Sequence, residues 1–290
     1  MRVEWDYTEV ATSYLKRPPY AATVIAECLR VAGGAPGMLA CDVGAGTGNL
    51  TLPLLERGLT VVALEPNPAM RRLGRERTRG MPHVHWLASL GECTAQRASV
   101  FDLVTFGSSF NVVDGREALG ESARLLKPGG WLVCLWNHRN LDDPLQARIE
   151  AFIRERIVGY AYGARREDQT PILGGCGFFS NVLRLEGEIV HRVSVDDCLE
   201  AWRSHLTLRR QAGAAFPAVL AGIRSLVEQC RRPVIEVPYT TRAWMARSVP
   251  ATGAERWEPD VGDLAVPRGA RRAHHRDGVR VPREGPGGSG

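Results

Sequence analysis

The chain has 290 residues, 44% hydrophobic and 24% charged, which is enough apolar material for one large domain and an ordinary balance for a folded one. Its formal charge is only +5 and no lysine- or arginine-rich block stands out in the main body, so a nucleic-acid partner, which needs a concentrated basic stripe, is not expected. There is no run of about 18 apolar residues and no apolar segment in Met1–Asp6, so neither a membrane span nor a signal peptide is expected, and the cytoplasm is the default location.

Lys16 and Lys127 are the only lysines among 37 basic residues, an arginine bias that reads as GC-rich coding. The seven cysteines (Cys28, Cys41, Cys93, Cys134, Cys176, Cys198 and Cys230) are widely spaced, odd in number and contain no C-x-x-C. That pattern argues against a disulfide framework and against a zinc site, and no metal is expected. Cys41 and Cys134 fall in apolar runs and read as small core residues.

In chain order, residues 4–32 read as helical with an interruption at Pro18-Pro19. Met38–Val43 is a short apolar run that ends in a glycine-rich loop. Leu50–Arg57 follows as a helix with Gly58 as its stop. Strands are expected at Thr60–Leu64, Val84–Leu87, Phe101–Phe106 and Trp131–Trp136. Helices are expected at Pro68–Arg79 and Arg116–Leu126, the second closed by Lys127-Pro128-Gly129-Gly130. Strands alternating with helices at this spacing predict a parallel, doubly wound α/β sheet, whose strands are covered on both faces.

The second half differs. Leu145–Val158, Asp196–Arg210 and Phe216–Cys230 read as helices, and Val182–Val193 and Val234–Val249 alternate like strands with one wet face. Pro238 inside the last segment favours an edge strand or a bulge. These two late strands are expected to join the sheet, with the helices between them forming a lid. The organisation expected is a core over 1–140, a cap with the last two strands over 141–249, and a disordered tail over 250–290, where Gly, Pro, Arg and His dominate.

Asp42-Val43-Gly44-Ala45-Gly46-Thr47-Gly48 sits where the first strand meets a helix. Glycines there let backbone approach a ligand, the following helix N-terminus offers free N–H groups, and the position is the switch-point crevice of an open α/β sheet. The spacing is G-x-G-x-G, one residue short of the dinucleotide pattern, and the loop lacks the G-K-[S/T] of a phosphate loop. A nucleoside-like ligand without phosphates suits it better. Glu65 ends the second strand, placed to take both hydroxyls of a ribose.

Cys41–Leu50 resembles the first motif of class I S-adenosylmethionine-dependent methyltransferases. Val61–Met70 resembles the second, and Leu125–Trp131 resembles the segment before the fifth strand. Tyr14–Tyr20 and Ser89–Glu92 point to the small-molecule, type 11-like subgroup. The resemblance implies a Rossmann-like, mostly parallel seven-stranded sheet with a helical cap over the cofactor cleft, and S-adenosyl-L-methionine as cofactor. It implies cofactor contacts from Asp42, Gly44, Ala45, Gly46, Gly48 and Asn49 in the loop. From the second motif it implies Glu65, Pro66, Asn67 and Met70. Tyr14 and Arg17 would meet the methionine end, Leu90, Gly91 and Glu92 would lie along adenine, and Ser108 and Phe110 would follow the fourth strand. Relatives often carry an adenine-binding acid where this chain has Leu90, and a histidine and tryptophan where it has Asn111 and Val112.

Methyl transfer from a sulfonium is an in-line displacement that needs alignment and exclusion of water, with a base only for some acceptors. His138, past the fifth strand, is the candidate base, and Asn111 the candidate acceptor of a hydrogen bond from the substrate. His191 and His205 are weaker candidates in the cap. Arg165–Thr170 is a charged stretch suited to orienting an anionic substrate. Trp136, Tyr160, Tyr162, Phe178, Phe179 and Trp202 would offer aromatic walls. The expected activity is O- or N-methylation of a small molecule such as a natural-product intermediate, by a monomer or homodimer. Methylation of RNA or protein, cofactor binding without turnover, and a nicotinamide oxidoreductase are the competing readings.

Overall fold

The sheet is seven-stranded, in the order β3-β2-β1-β4-β5-β7-β6. A computed structural model describes residues 5–34 and 36–249; the expected tail over 250–290 lies outside the described residues. The described residues fall in one contact unit.

An N-terminal segment begins with a single 3-10 turn, Thr8–Val10, and continues as α1 (Ala11–Tyr14). Pro18 and Pro19 break the helix as expected, and α2 (Ala22–Val31) resumes. Then follow β1 (Leu39–Val43), α3 (Thr51–Leu55), β2 (Thr60–Leu64), α4 (Pro68–Arg77), β3 (Val84–Leu87), β4 (Phe101–Gly107) and α5 (Gly115–Leu125). Asn67 caps α4 by accepting from the Ala69 and Met70 amides, with Pro68 in the first turn. Asp114 caps α5 in the same way, from Arg116 and Glu117.

β5 (Leu126–Arg139) is longer than the sequence suggests. Lys127–Gly130 do not merely close the helix. They sit in an irregular stretch, where Phe101 pairs with Leu126 and Leu103 pairs next with Trp131. The remaining elements are α6 (Pro144–Arg156), α7 (Thr170–Gly175), β6 (Phe179–Ser194), α8 (Val195–Arg203), α9 (Leu206–Ala212), α10 (Phe216–Glu228) and β7 (Val234–Ser248). The helix expected over Asp196–Arg210 is therefore two, broken at Ser204-His205.

β1 to β5 run parallel, and β7 is antiparallel to both β5 and β6. Side-chain alternation divides the core between the two faces. Cys41, Phe106, Leu132, Cys134 and Trp136 pack with α5 on one face; Ala40, Leu103, Val133 and Leu135 pack with α2 and α3 on the other.

Two expectations about the second half are corrected. β7 is not an edge strand despite Pro238, because β6 lies outside it. The Pro238 carbonyl accepts from the Asn140 amide, just beyond the last β5–β7 pair, Arg139–Tyr239. The donor that proline lacks would therefore point to the same side, past the last β5–β7 pair, so the missing bond falls at the end of that ladder rather than within it. Nor is the whole helical insert a lid. Leu173 of α7 is fully buried in the main core with Phe179 and Trp244, whereas α6, α8, α9 and α10 form a separate cluster against the outer half of β7.

Candidate functional site

The carboxyl ends of β1, β2 and β4 open on one cleft, at the point where the strand order reverses. Gly44 and Gly46 line it in left-handed conformations, with φ of 65° and 59°. A Cβ on Gly44 would lie 2.5 Å from the Ser109 Cβ, so both backbone angle and space require glycine there. Ser109 holds this approach by donating from Oγ to the Val43 carbonyl at 2.5 Å.

Glu65 is buried at the end of β2. One carboxylate oxygen accepts from the Gly46 amide at 2.7 Å and the other from the Asn67 amide at 2.8 Å. Each oxygen keeps a lone pair, so the group is fixed in place yet can still accept two hydroxyls. Burial raises the Glu65 carboxyl above its ordinary value, against those two amides and Arg71. Pro66, Asn67, Met70, Leu90, Gly91 and Glu92 complete the cleft with Val112 and Val113. An apolar slot beside a ribose-spaced carboxylate and a glycine-rich loop fits a nucleoside; Glu92, whose Oε1 accepts from the Asp114 amide, lines the cleft beside Leu90.

A second cavity adjoins the first. Trp5, Tyr7, Tyr14 and Ser108 line both. Trp5 and Tyr7 were not marked as site residues by the sequence; only the fold of the N-terminal segment across the strand ends brings them here. That segment is tied on two sides. The Asn67 side-chain Nδ2 donates to the Asp6 carboxylate and the Thr8 hydroxyl, while Arg17 donates to the Ser204 hydroxyl at 2.7 Å and its carbonyl at 2.9 Å. Ser13 donates to Glu200, and Lys16 pairs with Asp197 at 3.0 Å.

Arg17, Asn49, Asn111 and His138 line this second cavity rather than the cleft. Asn111 does not offer its carbonyl freely, because Oδ1 accepts from Trp136 Nε1 at 2.9 Å. The indole can only donate, so the Asn111 amide N–H groups are what remain for a ligand. His138 is buried, and its Nε2 has no hydrogen-bond partner. Burial first, then the charges of Arg166, Arg242, Arg165 and Arg184, push it down to about 3, so the ring is neutral at physiological pH. His205 also lines the cavity and is held well below its ordinary value, by burial and by Arg165, Arg17 and Arg139. Of the aromatic candidates, Trp136 and Tyr162 line the cavity, while Tyr160, Phe179 and Trp202 are buried in the clusters. Phe178 packs against the main core.

Four loop-region candidates line neither cavity. Asp42 is fully buried below the loop and accepts from the Thr51 hydroxyl at 2.6 Å and the Thr105 hydroxyl at 3.0 Å. It ties β1 to α3 and β4, and burial pushes it up to about 6. Ala45 donates its amide to the Leu64 carbonyl and packs with Ala63 and Trp86. Gly48 backs onto Trp86, and Phe110 is an edge-to-face partner of Phe106 in the core.

A doubly wound sheet of this order, with a glycine loop after β1 and an acid at the end of β2, defines the class I methyltransferase fold. Residues 41–134 match the family model described as a methyltransferase domain, which supports a class I S-adenosylmethionine-dependent methyltransferase of the type 11 kind. An uncharacterized methyltransferase of Mycobacterium tuberculosis is 39% identical over 99 residues, which are 34% of this chain and 40% of the relative. The demethylmenaquinone methyltransferase of Renibacterium salmoninarum is 36% identical over 35% of this chain and 42% of its own. A ubiquinone/menaquinone biosynthesis C-methyltransferase of Hydrogenovibrio crunogenus is 34% identical over 45% of this chain and 54% of its own. The chain thus spans about half the length, or less, of these curated relatives. A solved structure from Anaeromyxobacter dehalogenans, 21% identical with a TM-score of 0.54, covers 81% of this chain and 99% of that one. The YcgJ protein of Bacillus subtilis, 13% identical with a TM-score of 0.51, covers 79% and 100%. Both show the fold alone.

Proposed function

We propose that the protein binds S-adenosyl-L-methionine in the cleft under the glycine loop and methylates a small molecule held in the adjoining cavity. The observation that carries this reading is the anchored Glu65 carboxylate beside a Cβ-free loop, opening through Trp5, Tyr7, Tyr14 and Ser108 into a second chamber. When bound, the cofactor supplies an electrophilic methyl group on a sulfonium, and the transfer leaves the thioether with the electron pair. Glu65 holds the ribose, Gly44 and Gly46 allow close contact, and Leu90, Gly91 and Met70 enclose the base. Tyr7 and Tyr14, stacked edge to face at 5.7 Å, wall the boundary between the two chambers and exclude water there.

On the acceptor side, His138 receives the proton from the nucleophile and Asn111 donates to the acceptor through its amide. The aromatic surfaces of Trp136, Tyr162 and Tyr239 suit a flat, ring-containing acceptor. Two of the relatives are named for quinone methylation, which is in keeping with a ring. A natural-product intermediate, methylated on O or N, is the substrate class we favour.

Calorimetric titration tests the donor half: S-adenosylmethionine and S-adenosylhomocysteine bind, and NAD does not. Binding of NAD alone would refute it. Release of S-adenosylhomocysteine only when a small-molecule acceptor is added tests the second half.

A further inference from the structure

The two chambers divide charge between them. Two carboxylates, Glu65 and Glu92, line the cleft under the glycine loop, and no arginine, lysine or histidine does among the described residues. The second cavity is the reverse. Arg17, Arg139, Arg165 and Arg166 line it, and among the described residues no carboxylate does. A cleft of the first kind suits a sulfonium; a cavity of the second kind lacks its counter-ion.

The arginines of the cavity are held by neutral groups. Arg139 lies 3.6 Å over the Trp202 ring, and its Nε is buried without a hydrogen-bond partner. Arg166 lies 3.7 Å over the Tyr162 ring. Arg165 points a terminal nitrogen at His205 Nε2, 2.7 Å away, while the Leu208 amide donates to the other ring nitrogen. A neutral imidazole has one lone pair to give, so the two donors compete for it. Elsewhere some part-buried guanidinium groups have acids, as Arg124 with Glu121 and Arg242 with Glu186, and others, such as Arg57 and Arg71, are held by backbone carbonyls. Burial, with repulsion from Arg17 and Arg139, pushes Arg165 down to about 10, which leaves it a cation at neutral pH. Clustered cations enclosed without an anion are strongly disfavoured, and a bound oxyanion relieves that cost.

We propose, building on the donor reading above, that this cavity selects an anionic, flat methyl acceptor, an aryl carboxylate or aryl phosphate whose oxyanion sits against Arg139, Arg165 and Arg166. Planar guanidinium groups suit such oxyanions because their N–H donors match two oxygens at once. Trp136, Tyr162 and Tyr239 provide the ring surfaces. The carboxylate of the methyl donor does not account for the cluster. It is one charge, met by Arg17 beside the shared wall at Tyr14, and three arginines remain. Number of arginines alone does not make such a site: Arg71, Arg72, Arg75 and Arg79 also line a groove, but Glu76 lines it with them and pairs with Arg72 at 2.8 Å.

Thermal-shift titrations at constant ionic strength test this, with benzoate, phenyl phosphate and uncharged benzamide, each with and without S-adenosylhomocysteine. Benzoate or phenyl phosphate raises the melting temperature and benzamide does not; the stronger of the two distinguishes a carboxylate from a phosphate site. R166Q weakens the apparent affinity about tenfold or more, R166K less, and R75Q leaves it unchanged. Unaltered S-adenosylhomocysteine binding by R166Q shows that the variant is folded. Equal stabilisation by benzamide, an equal loss in R75Q, or no shift with either anion in the wild-type protein overturns the proposal. Benzoate binding without S-adenosylhomocysteine binding would leave the anion site standing and remove the donor reading; the converse would do the opposite.

Discussion

Glu65 and Asp42 are both buried acids of the glycine-loop region, yet they do different work because of where their oxygens point. Glu65 keeps lone pairs toward the cleft, so Glu65→Ala is expected to weaken S-adenosylhomocysteine binding at least about tenfold, the equivalent of about 1.4 kcal/mol for one charge-assisted contact. Equal affinities by calorimetry would dismiss the ribose role. Asp42 faces two threonine hydroxyls away from ligand. Its folded-state pKa of about 6 exceeds its ordinary 3.8, so the folded protein prefers it protonated. The stabilisation this gives is full below about pH 4 and is lost as pH rises through about 6, by about 3 kcal/mol. Asp42→Asn should therefore gain stability on the wild-type protein between pH 4 and pH 6, in denaturant melts at several pH values. A constant difference across that window would contradict the burial argument. His138 titrates in the opposite sense. Its neutral form is the folded one down to about pH 3, so kcat/KM should show no acid limb near 6.5 that disappears in His138→Gln. An anion bound against Arg165 and Arg166 cancels two of the charges that hold the ring down. The acid limb of kcat is thus expected at higher pH than that of kcat/KM.

At the scale of elements, glycine positions decide how closely helices meet the sheet. Gly74 lies inside α4, where alanine would ordinarily add about 1 kcal/mol of helix stability. Here a Cβ would fall 2.1 Å from the Trp86 ring, which is buried and held by its indole N–H donating to Thr78 at 3.0 Å. The ring cannot swing away without losing that bond, so overpacking, at about 1–3 kcal/mol, outweighs propensity. Gly74→Ala is expected to lower the melting temperature, and a rise would show that α4 can slide on β3. α4, capped by Asn67, also carries Met70 to the cleft, and its last residue Arg77 donates to the Thr47 carbonyl at 2.7 Å, so the same variant should loosen the glycine loop and weaken cofactor binding.

At the scale of the molecule, β5 and β7 together supply one wall of the second chamber, through Trp136, His138, Arg139 and Tyr239. β5 enters the core at Leu132 and ends at His138 and Arg139, and β7 runs beside it from Tyr239 to Arg247. The last described backbone bond is from the Val249 amide to the Phe178 carbonyl, which closes the sheet against β6. Among the described residues, the core clusters extend along β7 as far as Ala246. A chain ending at Val249 is expected to melt within a few degrees of the full chain and to keep its affinity for S-adenosylhomocysteine; loss of cooperative melting would show that the later residues support the fold.

The sequence by itself determined what depends on local pattern. Short runs of four or five mostly apolar residues between helices pointed to parallel strands, and β2 and β3 begin and end where those runs do. Gly44 and Gly46 had to be glycine for reasons of φ and of contact, and an acid at the end of β2 could be placed by counting along the chain. Tertiary structure alone decided the direction in which a side chain points and which distant segments meet. Asp42 looked like part of the loop, but strand alternation turns it inward to Thr51 and Thr105. Pro238 looked like an edge residue, but the pairing of β6 outside β7 makes that strand internal and leaves the proline harmless at its end. Arg17, Arg139, Arg165 and Arg166 are spread over 150 positions of an arginine-rich chain, where no spacing rule singles them out. They form a cavity because the N-terminal segment, the end of β5 and the turn before α7 converge over the strand ends, and long-range convergence of that kind is written in packing rather than in period.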